Sequence, residues 1–325
     1  MIGKVLLTGG AGFIAERVAF ALANDRYAVD IVDNLMRGKK DARIDKLEAR
    51  GNVKLYEIDL LQPTALANLE NDYDYVIHFA AIVGVQNVVD RPYQTLRDNV
   101  LMQEAVIRFA SRQSSLRRIL FASTSEVYAG SLIHLSLPLP TPEDIPLALP
   151  DLSEGRTSYM LSKIYGEAML LHSGLPYTIV RPHNIYGPRM GMAHVIPELL
   201  RKAHNAEPNG TLEVFSVDHK RCFCYIDDAV EMLLRLLKAD AASCQVLNVG
   251  ADAPEVTIQE LAELVIATVG KRLHIVPKPP TPGSPSRRVP DMTRTKTITG
   301  YSAYTSLLDG IRSTYEWYKK HEFCV

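Results

Sequence analysis

Thr8-Gly9-Gly10-Ala11-Gly12-Phe13-Ile14-Ala15 follows an apolar run, Lys4–Thr8, with the character of a strand, and opens a segment, Glu16–Asn24, with helical periodicity. A glycine loop between strand and helix can turn tightly and approach a pyrophosphate at Gly10 and Gly12, and the anion then rests on the positive end of the helix. Gly9, Phe13 and Ile14 complete the candidate contacts of this loop, and Ala15 stands where helix and strand pack closely. The next apolar run ends in Ile31-Val32-Asp33-Asn34, about 20 residues further on, where a carboxylate accepts both ribose hydroxyls of NAD and repels the extra phosphate of NADP. Asp33 therefore reads as a selector for NAD with Asn34 beside it; the alternative is that Asp33 merely begins a turn. Asp59 and Leu60, after the third strand, are candidates for the adenine edge, although Asp59 reads equally well as a helix cap before Pro63.

Outward from this loop, short apolar runs alternate with amphipathic helical segments, the pattern of a parallel sheet with crossover helices. Strands are expected at Lys4–Thr8, Ala28–Val32, Val53–Glu57, Tyr75–Phe79, Arg118–Ser123 and Tyr177–Arg181, with helices such as Glu16–Asn24 and Thr95–Ser111 between them. The fold class is thus α/β: a Rossmann doubly wound parallel sheet with a smaller C-terminal α/β substrate-binding part. Residues 1–182 are expected to form the dinucleotide-binding domain, joined by 219–248, and 183–325 mainly the substrate-binding domain. Helices are expected at Ala193–His204, Asp227–Lys238 and Ile258–Val269. Two long irregular stretches, Gly130–Gly155 and the proline-rich Lys278–Pro290, should cover a site, as long loops in compact enzymes do.

A hydrophobic fraction of 47%, a charged fraction of 22% and a formal net charge of -1 are those of a globular protein with no basic field for nucleic acid. No apolar run approaches the ~20 residues of a membrane span, and no leader is read before Lys4. Four cysteines, 222, 224, 244 and 324, lack metal-site spacing; they are expected as free thiols in a reducing cytoplasm, with Cys222 and Cys224 on one face of a single strand. No metal is implied.

Tyr159 and Lys163 are spaced i, i+4 and share a helix face. An ammonium there, together with a positive nicotinamide ring, should lower the tyrosine pKa and let the phenolate take a hydroxyl proton. Ser123-Thr124-Ser125-Glu126 lies at the carboxyl edge of the sheet, where a hydroxyl can orient the reacting oxygen.

The glycine loop, Asp33, His78-Phe79-Ala80-Ala81, Asn99, the Ser-Thr-Ser-Glu run, Tyr159 with Lys163, and Arg181-Pro182-His183-Asn184-Ile185-Tyr186-Gly187-Pro188 together resemble the NAD-dependent nucleotide-sugar epimerase/dehydratase family, a branch of the extended short-chain dehydrogenases. The resemblance runs from residue 4 to about 320. It implies transient oxidation at sugar carbon 4, with Tyr159 as base, Lys163 holding it and the nicotinamide ribose, and Thr124 guiding the hydroxyl. Ala80, Ala81, Asn99, Ser123 and Pro182 would line the cofactor, and Ser125, Asn184, Arg221 and Arg288 would hold the substrate, the two arginines gripping its diphosphate. His183 departs from the phenylalanine common in the family, and either packs identically or adds a polar group near the sugar.

The fate of the 4-keto sugar divides the family. Thr124-Ser125-Glu126, Gly187-Pro188-Arg189-Met190 and the Arg288 segment resemble UDP-glucuronate decarboxylases, so the expected reaction leans to decarboxylation of a UDP-uronate or dehydration of a hexose, with 4-epimerisation as the alternative. In a dehydratase Glu126 would be the second base; in a decarboxylase it would be a hydrogen-bonding residue. A dehydrogenase of free alcohols and a non-catalytic NAD-binding scaffold are the other readings; the arginines argue against the first, and Tyr159 with Lys163 against the second. The family also implies a homodimer through the two helices, with Leu96, Val100, Ala105 and Phe109 facing Met160, Ile164, Ala168 and Leu171.

Overall fold

The computed structural model of the chain describes residues 1–280 and 283–323, and of 85–87 the backbone only. Seven strands form one parallel sheet: β1 (Lys4–Thr8), β2 (Ala28–Asp33), β3 (Val53–Glu57), β4 (Tyr75–His78), β5 (Arg118–Ala122), β6 (Tyr177–Pro182) and β7 (Gln245–Val249). Their spatial order is β7-β6-β5-β4-β1-β2-β3. Alternate residues feed two cores, with Val5, Leu7, Val29, Ile31, Leu120 and Val180 on one face and Leu6, Val76, Ile119, Phe121 and Ile179 on the other. Burial on both faces is what makes these strands read as continuous apolar runs. The winding reverses at β1, which lies between β2 and β4, so the ligand crevice opens at the carboxyl ends of β1 and β4.

Six strands match the expected positions to within a residue at each end, and β7 is the addition. Gln245–Val249 pairs in register with Thr178–Pro182, far away in sequence, which is why local pattern did not place it in the sheet. The expected single strand through Cys222 and Cys224 is corrected. Lys220–Cys222 is drawn into a three-stranded sheet with Glu255–Thr257 and Arg287–Arg288, whereas Cys224–Tyr225 pairs with Ile185–Tyr186, and the chain breaks between them at Phe223. Cys222, Cys224 and Cys244 are free thiols; Cys324 lies outside the described residues.

The helices Val195–Asn205, Ile258–Val269 and Leu307–His321 and a two-stranded parallel sheet of Thr211–Phe215 with His274–Lys278 form the C-terminal layer. The stretch 130–155 is not wholly irregular, since a short helix, Ala129–His134, precedes its loop. That loop bridges to the proline-rich stretch: Thr141 N–H donates to Val289 O at 2.8 Å and accepts at its own carbonyl from Asp291 N–H at 2.8 Å. Asn248, at the end of β7, ties both down by donating from Nδ2 to the carbonyls of Thr141 and Asp291. The two loops thus form one joined cover beside the crevice.

Helices Pro92–Ala110 and Thr157–Leu171 pack on each other and on the sheet. Of the residues expected in an intersubunit stripe, Phe109 and Met160 are buried within the chain, and Phe109 meets Tyr73 edge to face at 5.7 Å. Leu171 is exposed, and so are Tyr93, Leu101 and Tyr165 nearby on the same helices. Among the described residues no helix is long and apolar enough to cross a membrane.

Candidate active site

The glycine loop is held against β4. Gly9 has φ +69, and a Cβ there would meet Ala80 N at 2.6 Å, so neither the conformation nor the space admits a side chain. Gly12 caps the helix Phe13–Asn24 with no side chain across its end, and a Cβ at Gly10 would strike Ile31 at 2.5 Å. Phe13 and Ile14 form the first helical turn. Asp33, 9% exposed at the tip of β2, accepts from Ala11 N–H at 3.0 Å and Leu35 N–H at 2.8 Å, which fixes its carboxylate at the mouth of the loop. Asn34 accepts from Met36 N–H, and Asp59 from Leu61 N–H at 3.1 Å in a run of turns where no helix follows, with Leu60 buried behind it.

Ala80 and Ala81 follow β4 in the crevice, and Asn99 shapes that loop by accepting from Ile82 N–H at 2.7 Å and donating to Ile82 O at 3.1 Å and Ser162 Oγ at 3.2 Å. Pro182 ends β6 beside Val249. The Ser123 hydroxyl is buried and donates to Glu167, which Arg181 anchors through two hydrogen bonds of 2.9 and 2.6 Å.

Tyr159 and Lys163 lie one turn apart on Thr157–Leu171, with Nζ 5.9 Å from the phenol ring centroid. Nζ donates to Ala122 O at 2.7 Å, and Lys163 is 3% exposed. Burial lowers the Lys163 pKa to about 7 against the opposing pull of the Glu167 carboxylate. The protein's own groups push the Tyr159 phenol up. Burial raises the phenol, the Glu126 carboxylate adds to the rise, and a hydrogen bond to Thr124 and the Arg37 guanidinium oppose it. Lys163 contributes little here because its hydrogen bond goes to Ala122 rather than to the phenol. Thr124 caps the short 3-10 turn Ser125–Tyr128, accepting from Glu126 N–H.

Glu126 lies between two guanidinium groups, with Arg288 Nη1 at 2.8 Å from Oε1 and Arg156 Nη2 at 3.2 Å from Oε2. Burial alone would raise its pKa, but Arg288 and then Arg156 outweigh it and hold the carboxyl at about 2. Arg156 was not among the expected site residues. Its signal was present as the i, i+3 spacing to Tyr159, which places both on one side of the first helical turn. Arg288 also donates to Ser125 Oγ at 3.3 Å. Arg221 is opposite Arg288 in the strand register, yet its terminal nitrogens go to the carbonyls of Lys220, Pro285 and Ser286 and to Ser284 Oγ. The two arginines are therefore neighbours, and Arg288 Nε is buried with no partner among the described residues. Asn184, at φ +42, donates to Cys222 O at 2.9 Å. His183 is 1% exposed, packs on Tyr128 and bonds through Nε2 to Asn248 Oδ1 at 3.0 Å, so it serves the interior. Among the described residues no group of His, Cys, Asp and Glu is placed to hold a metal.

A strand-end glycine loop, a carboxylate at the second strand and a Tyr-Lys helix beside a threonine share one crevice, and the profile of the NAD dependent epimerase/dehydratase family matches residues 5–250. The chain belongs to that family. It is 30% identical to the UDP-N-acetyl-alpha-D-glucosaminuronate decarboxylase of Bacillus cytotoxicus, covering 98% of both chains. It superposes on the UDP-glucose 4-epimerase of Thermotoga maritima with a TM-score of 0.84 at 26% identity, over 98% of this chain and 99% of that one. On the UDP-glucuronic acid 4-epimerase of Bacillus cereus, solved with UDP-glucuronic acid and NAD, the TM-score is 0.83 at 25% identity, over 98% and 99%. NAD is thus the cofactor of this enzyme, and the crevice fits it: an open helix end, a glycine loop that excludes side chains and the Asp33 carboxylate line up at the carboxyl edge of the sheet.

Proposed function

We propose that the chain decarboxylates a UDP-linked uronate. One observation carries this reading: beside Tyr159 two guanidinium groups, Arg156 and Arg288, surround a single carboxylate, Glu126, with Arg221 next to Arg288, so positive charge exceeds negative charge at the site. A substrate carboxylate is the anion that balances it. The similarity to a decarboxylase of an N-acetylated uronate supports the same choice.

NAD, when bound, supplies a reversible two-electron oxidation at sugar carbon 4. Tyr159 takes the carbon 4 hydroxyl proton, Thr124 aligns that hydroxyl, and Lys163 stabilises the phenolate once the crevice is filled and positive charge stands beside it. The resulting ketone is β to the carboxylate. The carbon 5–carbon 6 bond then breaks with its electron pair passing into an enolate at carbon 4, carbon dioxide leaves, and a proton enters at carbon 5. No base is needed for that cleavage. Glu126, held at about 2, is a weak base, which disfavours the dehydration reading, where a carbon 5 proton must be removed. Asn184 and Arg221 are proposed for the nucleotide end, with Arg221 changing partners when the diphosphate arrives. The exposed Leu101, Tyr165 and Leu171 support a homodimer through the paired helices, and the free thiols support a cytoplasmic setting.

The test is product analysis by mass spectrometry and NMR after incubation with UDP-glucuronate, UDP-N-acetylglucosaminuronate and UDP-glucose. Loss of carbon dioxide from a uronate is expected, with no turnover of UDP-glucose. A uronate product of unchanged mass and inverted carbon 4 would replace decarboxylation by epimerisation.

A further inference from the structure

Arg189, in Tyr186-Gly187-Pro188-Arg189-Met190, is used by none of the chemistry above, yet it is among the most heavily bonded side chains in the molecule. Its backbone has φ +73, a left-handed conformation disfavoured for a residue with a Cβ, and its side chain is 10% exposed. Nε donates to Asp41 Oδ2 at 2.8 Å, Nη1 to Ala11 O at 2.9 Å and Nη2 to Lys39 O at 3.0 Å. Ala11 sits inside the glycine loop. Lys39 and Asp41 belong to the loop that follows Asp33 and Asn34, and Asp41 caps the helix Ala42–Glu48 through the N–H groups of Arg43 and Ile44.

The bond to Ala11 O acts directly on the loop. That carbonyl and the Gly12 N–H belong to one planar peptide, and the Gly12 N–H closes the turn onto Gly9 O at 3.0 Å. The peptide at the centre of the glycine loop is therefore pinned at both its polar groups, from within the loop by Gly9 and from outside it by Arg189. The same guanidinium fastens the loop beyond Asp33 to it, so the two segments that would hold the pyrophosphate and the adenosine ribose cannot part without breaking the fork.

We propose that Arg189 is a positioning residue that retains NAD, by locking together the two loops that enclose its pyrophosphate and adenosine ribose. Retention has a use here: an enzyme that oxidises and re-reduces within one turnover has no need to exchange cofactor, and loss in mid-cycle would strand it. The inference rests on the family's use of NAD and not on which sugar is processed.

Purified holoenzyme is to be compared with Arg189→Ala, Arg189→Lys and Asp41→Asn. The dissociation rate of bound NAD is followed by chase with the fluorescent etheno derivative of NAD, in the absence of sugar substrate, and UDP affinity by calorimetry. With one fork of charge-assisted bonds removed, Arg189→Ala should release NAD about tenfold faster or more, while UDP affinity stays within about twofold. Lysine keeps the charge but not the fork, so Arg189→Lys should fall between, and Asp41→Asn, losing one ion pair, should show a smaller rise. NAD release within about twofold of wild type in Arg189→Lys and Asp41→Asn would overturn the proposal. So would parallel loss of UDP binding and melting temperature in those two milder variants, which would make Arg189 a folding residue.

Discussion

Glu126→Gln removes one negative charge from between Arg156 and Arg288 while keeping the shape of the side chain. The native carboxyl is held at about 2 against an ordinary 4.5, and a difference of that size corresponds to ~3 kcal/mol of native-state stability. Arg156 is 30% exposed and Glu126 23%, so solvent screening reduces the expected contribution to about 2 kcal/mol. Because the folded pKa is depressed, this stability is fully present above the unfolded value and is lost as pH falls through the folded one. Urea unfolding should show Glu126→Gln about 2 kcal/mol less stable at about pH 6, with the difference shrinking steadily below about pH 4.5. A second consequence separates a carboxylate-binding site from a merely structural ion pair. With Glu126 neutral, both guanidinium groups are free for an incoming anion, so UDP-glucuronate should gain about tenfold in affinity relative to UDP-glucose, measured by calorimetry on the two ligands. An unchanged ratio of the two affinities would mean that the arginines do not meet the sugar carboxylate, and the decarboxylase reading would lose its main support.

Three further outcomes follow from the crevice. NAD should bind at least about tenfold tighter than NADP in parallel titrations, because the buried Asp33 carboxylate would face the extra phosphate with like charge; equal affinities would remove Asp33 from that role. Tyr159→Phe should lower turnover by about 10²–10⁴-fold while NAD and UDP binding persist, since one hydroxyl is deleted from a formed site; a variant keeping more than about a tenth of the rate would exclude Tyr159 as the acid–base group. In cofactor-stripped protein, Lys163 holds its proton to about 7 when folded and to 10.5 when unfolded, so between those values the unfolded chain binds one proton more and stability rises with pH, by up to ~1.4 kcal/mol per unit. Denaturant unfolding of wild type against Lys163→Met between about pH 7 and pH 10 should show the variant's relative stability falling, and parallel curves would contradict the buried amine.

The cofactor half was legible because its signals are local. A glycine loop at a strand–helix junction, a carboxylate one strand later and a Tyr-Lys pair on one helix face need only a few residues of context, and β1 to β6 follow from their apolar runs. What escaped depends on contacts between distant segments. β7 is recognisable only by its pairing with β6, and Phe223 breaks its strand because two different sheets compete for its neighbours. Arg156 looks like an ordinary charge after an acidic loop until Glu126 is placed beside it. That the Ser123 hydroxyl would pair with Glu167 depends on the buried Arg181–Glu167 pair, which no local pattern shows. Spacing likewise shows that Lys163 is near Tyr159, but not that its ammonium donates a hydrogen bond to the Ala122 carbonyl.

The residues divided by legibility are also divided by task. Tyr159 and Lys163 lie within a regular helix packed on the Pro92–Ala110 helix and the sheet, and Thr124 follows a central strand buried along its whole length. Glu126, Arg156 and Arg288 sit on a 3-10 turn, a helix cap and a two-residue strand, and the strand's position depends on the Thr141–Val289 bridge and on Asn248. In the proposed reaction the first set serves the oxidation that an epimerase and a decarboxylase both need, and the second is the set proposed to meet the sugar carboxylate. A fold shared at a TM-score of 0.84 with a 4-epimerase can therefore carry the proposed decarboxylation, because the groups proposed to decide it sit on short elements that can be replaced without disturbing the sheet.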